Sequence, residues 1–190
     1  MKVTKAKAQE NRARIVATAS ALFRERGYDG VGVAELMAAA GFTHGGFYKH
    51  FGSKADLMAE AATIGFSQTE AKIAGADMAE FAKSYVSRDH RDARSDGCTM
   101  AALCGDAARQ PDAIKAAFAS GVESLLTNLQ GEVTALDEAA RQEARAMTID
   151  MLAHAIGAVV LSRACPDDSP LADEVLEVCR TKILAQLADG

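Results

Sequence analysis

Apolar residues along this chain return every three or four positions, and nowhere do they sustain a strict alternation with polar ones. That period marks helices buried along one stripe, so an all-α protein is predicted. A first helix is expected over 6–26, where Ile15, Ala19, Leu22 and Phe23 share a face and Gly27 supplies a left-handed stop. A short second helix fits 33–40, closed by Gly41. Thr43 offers an N-cap to a third, ending near Phe51, and Ser53 caps a fourth that carries Leu57, Ala61 and Ile64 to about 74. Beyond Gly75 a fifth helix fits 78–86. The run 87–97, SRDHRDARSDG, has no apolar anchor and is expected to be a solvated loop. Helical spacing resumes over 98–109, and Pro111 opens a helix bearing Ile114, Phe118, Val122 and Leu125. A long apolar-rich helix is expected over about 134–164, stopped by Pro166. Ser169-Pro170 launches the last helix, which reaches Leu187. The reading is about nine helices and no sheet.

Composition narrows the class. The 190 residues are 49% hydrophobic and 25% charged, enough for one globular domain or a small module joined to a larger body. Disordered, collagen-like and disulfide-scaffold chains are excluded. No run of about 18 uninterrupted apolar residues exists, so no membrane association is expected. The charged start, 1–5, has no apolar core behind it, so no export signal is expected and the cytoplasm is the expected compartment.

Charge changes the picture further. A net charge of −5 argues against a polyanionic partner, yet its distribution reverses that conclusion. Residues 1–54 carry nine Lys/Arg against four Asp/Glu, whereas 55–190 carry twelve against twenty-two. A basic head on an acidic body implies that only the head meets a polyanion. The four cysteines form no CxxC pair and no Cys/His cluster at ligand spacing, so no metal or cofactor is expected. On one helix Cys98 and Cys104 would lie about 120° apart around the axis and about 9 Å along it, beyond disulfide reach.

Within 27–58, two short helices joined at Gly41-Phe42 have the helix-turn-helix pattern, whose second helix enters a major groove about 12 Å wide. Val33, Leu36, Met37, Phe42, Phe47 and Phe51 must face inward to hold the pair together. His44, Gly45, Gly46, Tyr48, Lys49 and His50 are left outward, a donor-rich face without an acid. Lys54 stands at the start of the next helix, where free N–H groups already favour a phosphate. Lys2, Lys5, Lys7, Arg12 and Arg14 suit the flanking backbone.

The run Arg14-Ile15, Ala21-Leu22-Phe23, Gly27-Tyr28, Val33, Leu36, Ala40-Gly41, Gly45, Phe47-Tyr48, His50-Phe51, Ser53-Lys54 and Leu57 resembles the TetR/AcrR family of bacterial one-component regulators over about fifty residues. The resemblance implies an all-α homodimer with a helix-turn-helix DNA-binding domain, 1–52, and a ligand-binding and dimerisation domain, 53–190. It implies a double-stranded, palindromic DNA operator and a small-molecule inducer as partners, and a regulator, most simply a repressor, instead of an enzyme. By position, Thr43, His44, Gly46, Tyr48, Lys49 and His50 would touch DNA and Lys54 a phosphate. Two departures stand out. Gly32 occupies the place of a capping Ser or Thr, which removes a hydroxyl–phosphate contact. Gly45-Gly46 puts two glycines in the reading helix, either for close backbone approach or at the expense of a frayed helix.

In the carboxy-terminal half, Ala146, Ile149, Ala153, Gly157 and Val160 on the long helix, with Leu171, Val175, Val178, Ile183 and Leu187 on the last, form candidate stripes for a seam between two copies. The opposite face of the long helix, with Met147, Met151 and His154, is expected to meet Phe81, Tyr85, Met100, Cys104 and Phe118 around a ligand cavity. An ordinary core has the same pattern, and His154 reads equally as a satisfied core histidine. Cys98, after Gly97 at a predicted helix start and a loop bearing Arg91 and Arg94, is the candidate sensing thiol for a thiol-based variant of the same regulator. A helical-bundle enzyme is the distant alternative, and no grouping at catalytic spacing supports it.

Overall fold

The computed structural model describes residues 4–130 and 137–189, and every regular element among them is helical. Lys2, counted with the basic arm, and Thr134, at the expected start of the long helix, lie outside the described residues. The helices are α1 Lys5–Arg26, α2 Val33–Ala39, a 3₁₀ segment η1 His44–Lys49, α3 Lys54–Ile73, α4 Met78–Tyr85, α5 Arg88–Asp92, α6 Thr99–Ala107, α7 Asp112–Gln130, α8 Glu138–Ala164 and α9 Pro170–Asp189. Local signals account for most of these ends. The side chain of Thr4 accepts from the Lys7 amide at the start of α1, Ser53 from that of Asp56, and Asp77 and Glu80 close a reciprocal capping box on α4. Gly27 ends α1 at φ 76 and ψ 168, so its positive φ is required, although the pair is not the left-handed helical one expected.

The chain divides into two compact units, residues 1–68 with 98–121 and residues 69–97 with 122–190. In the first, Ile15, Ala19, Phe23, Leu36, Met37, Phe47 and Leu57 are buried, and Phe23 meets Tyr28 edge-on at 5.1 Å. Each of these side chains other than Ala19 contributes about 1.5–3 kcal/mol on burial. The turn after α1 is held from two sides: the Tyr28 amide donates to Asp106 of α6 at 2.9 Å, and its carbonyl accepts from Lys54 at 2.5 Å. Burial pushes the Tyr28 hydroxyl above its ordinary range, which keeps it neutral. Near the other end of α7's share of this unit, Gly121 lies so close to α3 that a Cβ would come within 2.3 Å of the Phe66 ring.

In the second unit, the expected charged loop is partly a helix. Ser87 caps α5 through the His90 amide, and Arg91 is 1% exposed. Its guanidinium donates to the Ser162 carbonyl at 3.1 and 3.2 Å and to that of Cys165 at 3.3 Å, and pairs with Asp167 at 2.9 Å. The Ser162 carbonyl also accepts from the Cys165 amide that caps α8, so the guanidinium is its second donor, and the positive charge faces the negative end of the helix dipole. Arg163 returns the contact by donating to the carbonyls of Arg91 and His90, both at 2.9 Å. The anchor of 87–97 is therefore a buried cation, not an apolar side chain.

Candidate nucleic-acid interface and cavity

Residues 43–54 are held from beneath by aromatic packing. Phe47 and Phe51 are buried, with ring centroids 5.5 Å apart, on a base that includes Leu36 and Met37. With those two rings turned inward, Tyr48 and Lys49 are left outside. Tyr48 is 71% exposed, Thr43, His44 and Lys49 are exposed, and Gly46 and His50 are half-buried. Among the described residues Lys49 has no ion-pair partner, so its ammonium is available. No Asp or Glu occurs in 43–54. The surface offers donors and one phenol, a suitable chemistry for phosphate oxygens and base edges.

Three expectations about this surface need correction. The reading segment is not an α-helix capped by Thr43. It is a 3₁₀ segment without a side-chain cap, opened by Gly46 donating to Thr43 at 3.0 Å and closed by an α-type bond from Phe51 to Phe47 at 3.1 Å. Two adjacent glycines raise the entropy lost on helix formation, and a stretch this short has few bonds to offset it. Lys54 does not extend toward solvent: its ammonium donates to the Tyr28 carbonyl and stands 5.8 Å from the Phe23 ring centroid. The arginines of the arm are also occupied. Arg12 pairs with Glu60 and lies over Phe51 at 4.5 Å, and Arg14 lies over Phe42 at 4.4 Å. As expected, Gly32 begins α2 with no side-chain cap.

The second unit contains a cavity of about 260 Å³ between α4, α7, α8 and α9. Met78, Met147, Met151, Ile183 and Leu187 form much of its wall, and Gln130, Thr148 and Gln186 are its polar members. Of the expected cavity residues, only Met147 and Met151 line it. Phe81 and Tyr85 stack on each other at 4.9 Å in the same unit, with Tyr85 against His90 at 4.3 Å, and His154 is half-buried away from this wall. Met100, Cys104 and Phe118 belong to the other unit, where Phe118 meets Phe66 edge-on at 5.3 Å and Cys104 is exposed. Cys98 stands at the N-cap of α6 as expected, but its side chain is buried.

The α9 residues expected together on the seam fall on two faces. Ile183 is fully buried and, with Leu187, faces the cavity, whereas Leu171 and Val178 are exposed. On α8, Ala146, Ile149, Ala153 and Val160 are exposed and Gly157 is half-buried. Sequence did contain a signal for the missed part of the wall: Ile183 and Leu187 are four apart on α9, as the expected Met147 and Met151 are on α8.

The fold and its exposed, acid-free surface define an all-helical protein with an amino-terminal helix-turn-helix head. Residues 15–61 match the sequence model of the tetR family of bacterial regulatory proteins. The HTH-type transcriptional regulator AcrR of Shigella flexneri is 42% identical over 57 residues, covering 30% of this chain and 26% of that protein. The chain thus spans about a quarter of the length of the curated relatives it matches. Among solved structures, a TetR-family regulator from Cytophaga hutchinsonii superposes with a TM-score of 0.73 at 19% identity, over 97% of this chain and 98% of that one. AibR, solved in complex with isovaleryl coenzyme A and operator DNA, superposes with a TM-score of 0.59 at 17% identity, over 91% and 97%. Residues 15–61 thus carry the amino-terminal domain of the tetR family, and the chain as a whole shares the fold of structures described as TetR-family regulators.

Proposed function

We propose that this protein is a ligand-responsive transcriptional repressor, not an enzyme, which binds a palindromic operator as a homodimer and leaves it when a small apolar molecule fills the second unit. Residues 1–52 are the reading head and 53–190 the sensor and pairing region. The observation that carries this reading is the donor-rich surface of Tyr48 and Lys49 on a buried Phe47–Phe51 base. Support for pairing comes from Ile149, Val160, Leu161, Leu171 and Val178 on α8 and α9, which are 44–60% exposed. An apolar face of this kind is stabilised by a second copy, and a two-fold axis matches an operator's symmetry. AibR, with its operator and an acyl-coenzyme A, illustrates a DNA-bound and ligand-bound member of the fold. Inducer acts only through unequal affinity for the conformers that fit and do not fit the operator.

Fluorescence anisotropy on duplexes flanking the protein's own gene tests the reading. Tyr48→Ala and Lys49→Ala are each expected to weaken operator binding about tenfold, the loss of roughly one good contact. Lys49→Ala should also reduce the slope of log affinity against log salt by about one. Light scattering should show unchanged dimer mass. Both variants binding as tightly as the parent would remove the reading surface from this face.

Gly45 gives a second test. A Cβ there meets nothing within 4 Å, and its φ is not positive. Gly45→Ala is therefore expected to stabilise the free protein by up to about 1 kcal/mol, seen as a higher melting temperature. If the glycine serves close approach to the duplex, the same variant binds operator more weakly. Equal or tighter binding would show that the glycine serves no such approach.

A further inference from the structure

The cavity has a narrower chemistry than its apolar wall suggests. Resting on the reading of this chain as a ligand-responsive regulator, we propose that the cavity takes an uncharged, largely apolar molecule of about ten non-hydrogen atoms with one hydrogen-bond donor, received by the Thr148 hydroxyl oxygen. Size follows from volume. A cavity of about 150 Å³ accommodates benzene, so 260 Å³ filled to the same degree takes about ten heavy atoms. Charge follows from the lining, which among the described residues has no Asp, Glu, Lys, Arg or His. An ion placed there would lose its water and gain no partner.

Polarity follows from the hydrogen bonds already made. Thr148 is buried, and its only proton is donated to the Ala144 carbonyl at 2.8 Å. Its oxygen lone pairs remain, so toward a ligand Thr148 is an acceptor. The amide nitrogen of Gln186 is directed at Asp150 at 3.5 Å, which leaves the Gln186 oxygen as a second acceptor nearer the rim. A phenol or alcohol meets the Thr148 and Gln186 oxygens better than a ketone or ester does, and Gln130, the third polar member, offers an amide that serves either kind. Met78, Met147 and Met151 adapt to the remaining hydrocarbon, since thioether chains refill irregular space readily.

The position of the cavity also indicates how occupancy is transmitted. Met147, Thr148 and Met151 line it from α8, while Ala146 and Ile149 of the same turns face outward on the apolar seam. Filling the cavity presses on the α8–α9 pair, whose outer face pairs protomers in the proposed dimer.

Calorimetric titration of the full chain with three probes decides the matter: para-butylphenol, butylbenzene and para-butylbenzoate. The phenol is expected to bind about fivefold to tenfold more tightly than the hydrocarbon, and the carboxylate at least about a hundredfold more weakly than the phenol. Thr148→Val should remove the phenol's advantage and leave the hydrocarbon unchanged, Thr148→Ser should retain it, and Ala144→Phe, which fills the space, should abolish binding of both. Equal binding of the carboxylate, no effect of Thr148→Val on the phenol, or no binding of any probe would overturn the assignment. Phenol binding that follows this pattern without release of operator DNA would leave the cavity chemistry standing and sink the regulatory reading instead.

Discussion

Replacing Arg91 by Ala is expected to destabilise the protein by about 3–4 kcal/mol, among the largest effects available to a single change. The side chain is 1% exposed, and its guanidinium occupies the Ser162 and Cys165 carbonyls at the end of α8. Alanine leaves those carbonyls without that donor and opens a void the size of the departed group. Asp92 and Asp167 are exposed and rehydrate cheaply, so the loss is concentrated at the carbonyls. Arg91→Lys should recover part of the stability, because one ammonium cannot span both carbonyls with the fixed fork of a guanidinium. Urea unfolding followed by circular dichroism measures both. A cost for Arg91→Ala below about 1 kcal/mol would show that the α8 terminus is satisfied by other means.

Gly121→Ala is the second large effect, expected to cost about 2 kcal/mol net. An added Cβ would meet three carbons of the Phe66 ring at 2.3–2.5 Å, and that ring cannot retreat, since it is 2% exposed and packed edge-on against Phe118. Elsewhere in a helix the same change stabilises by up to about 1 kcal/mol, so the sign itself reports the close approach of α3 and α7. Phe66→Leu should relieve the clash. In the double variant the destabilisation is expected to fall short of the sum of the singles by more than about 1 kcal/mol. Additive effects would mean that Gly121 and Phe66 do not compete for the same space.

Much of the helix-turn-helix was legible because its signals are local. The inward set of Leu36, Met37, Phe47 and Phe51 follows from spacing, and once these are buried Tyr48 and Lys49 have nowhere to point but outward. The placement of Lys54 was not legible for the opposite reason. Its partner, the Tyr28 carbonyl, is 26 positions away, and no helix-start rule knows that a carbonyl waits there. The cavity was half legible. Met147 and Met151 were assigned to the correct face of α8, but a 3.6-residue period cannot tell which of two apolar stripes on α9 turns inward.

From the sequence alone came the helical class, most helix boundaries, the basic head on an acidic body and the surface offered by 43–54. All of these depend on residues within a turn of one another or on charge summed along the chain. Tertiary structure alone decided that Arg91 is a buried cap, that Ile183 faces a cavity while Val178 faces solvent, and that Phe118 and Met151 lie in different compact units. Those outcomes turn on partners distant in the chain, 74 residues for Arg91 and Cys165, and a hydrogen bond at that separation leaves no period in the chain to be read.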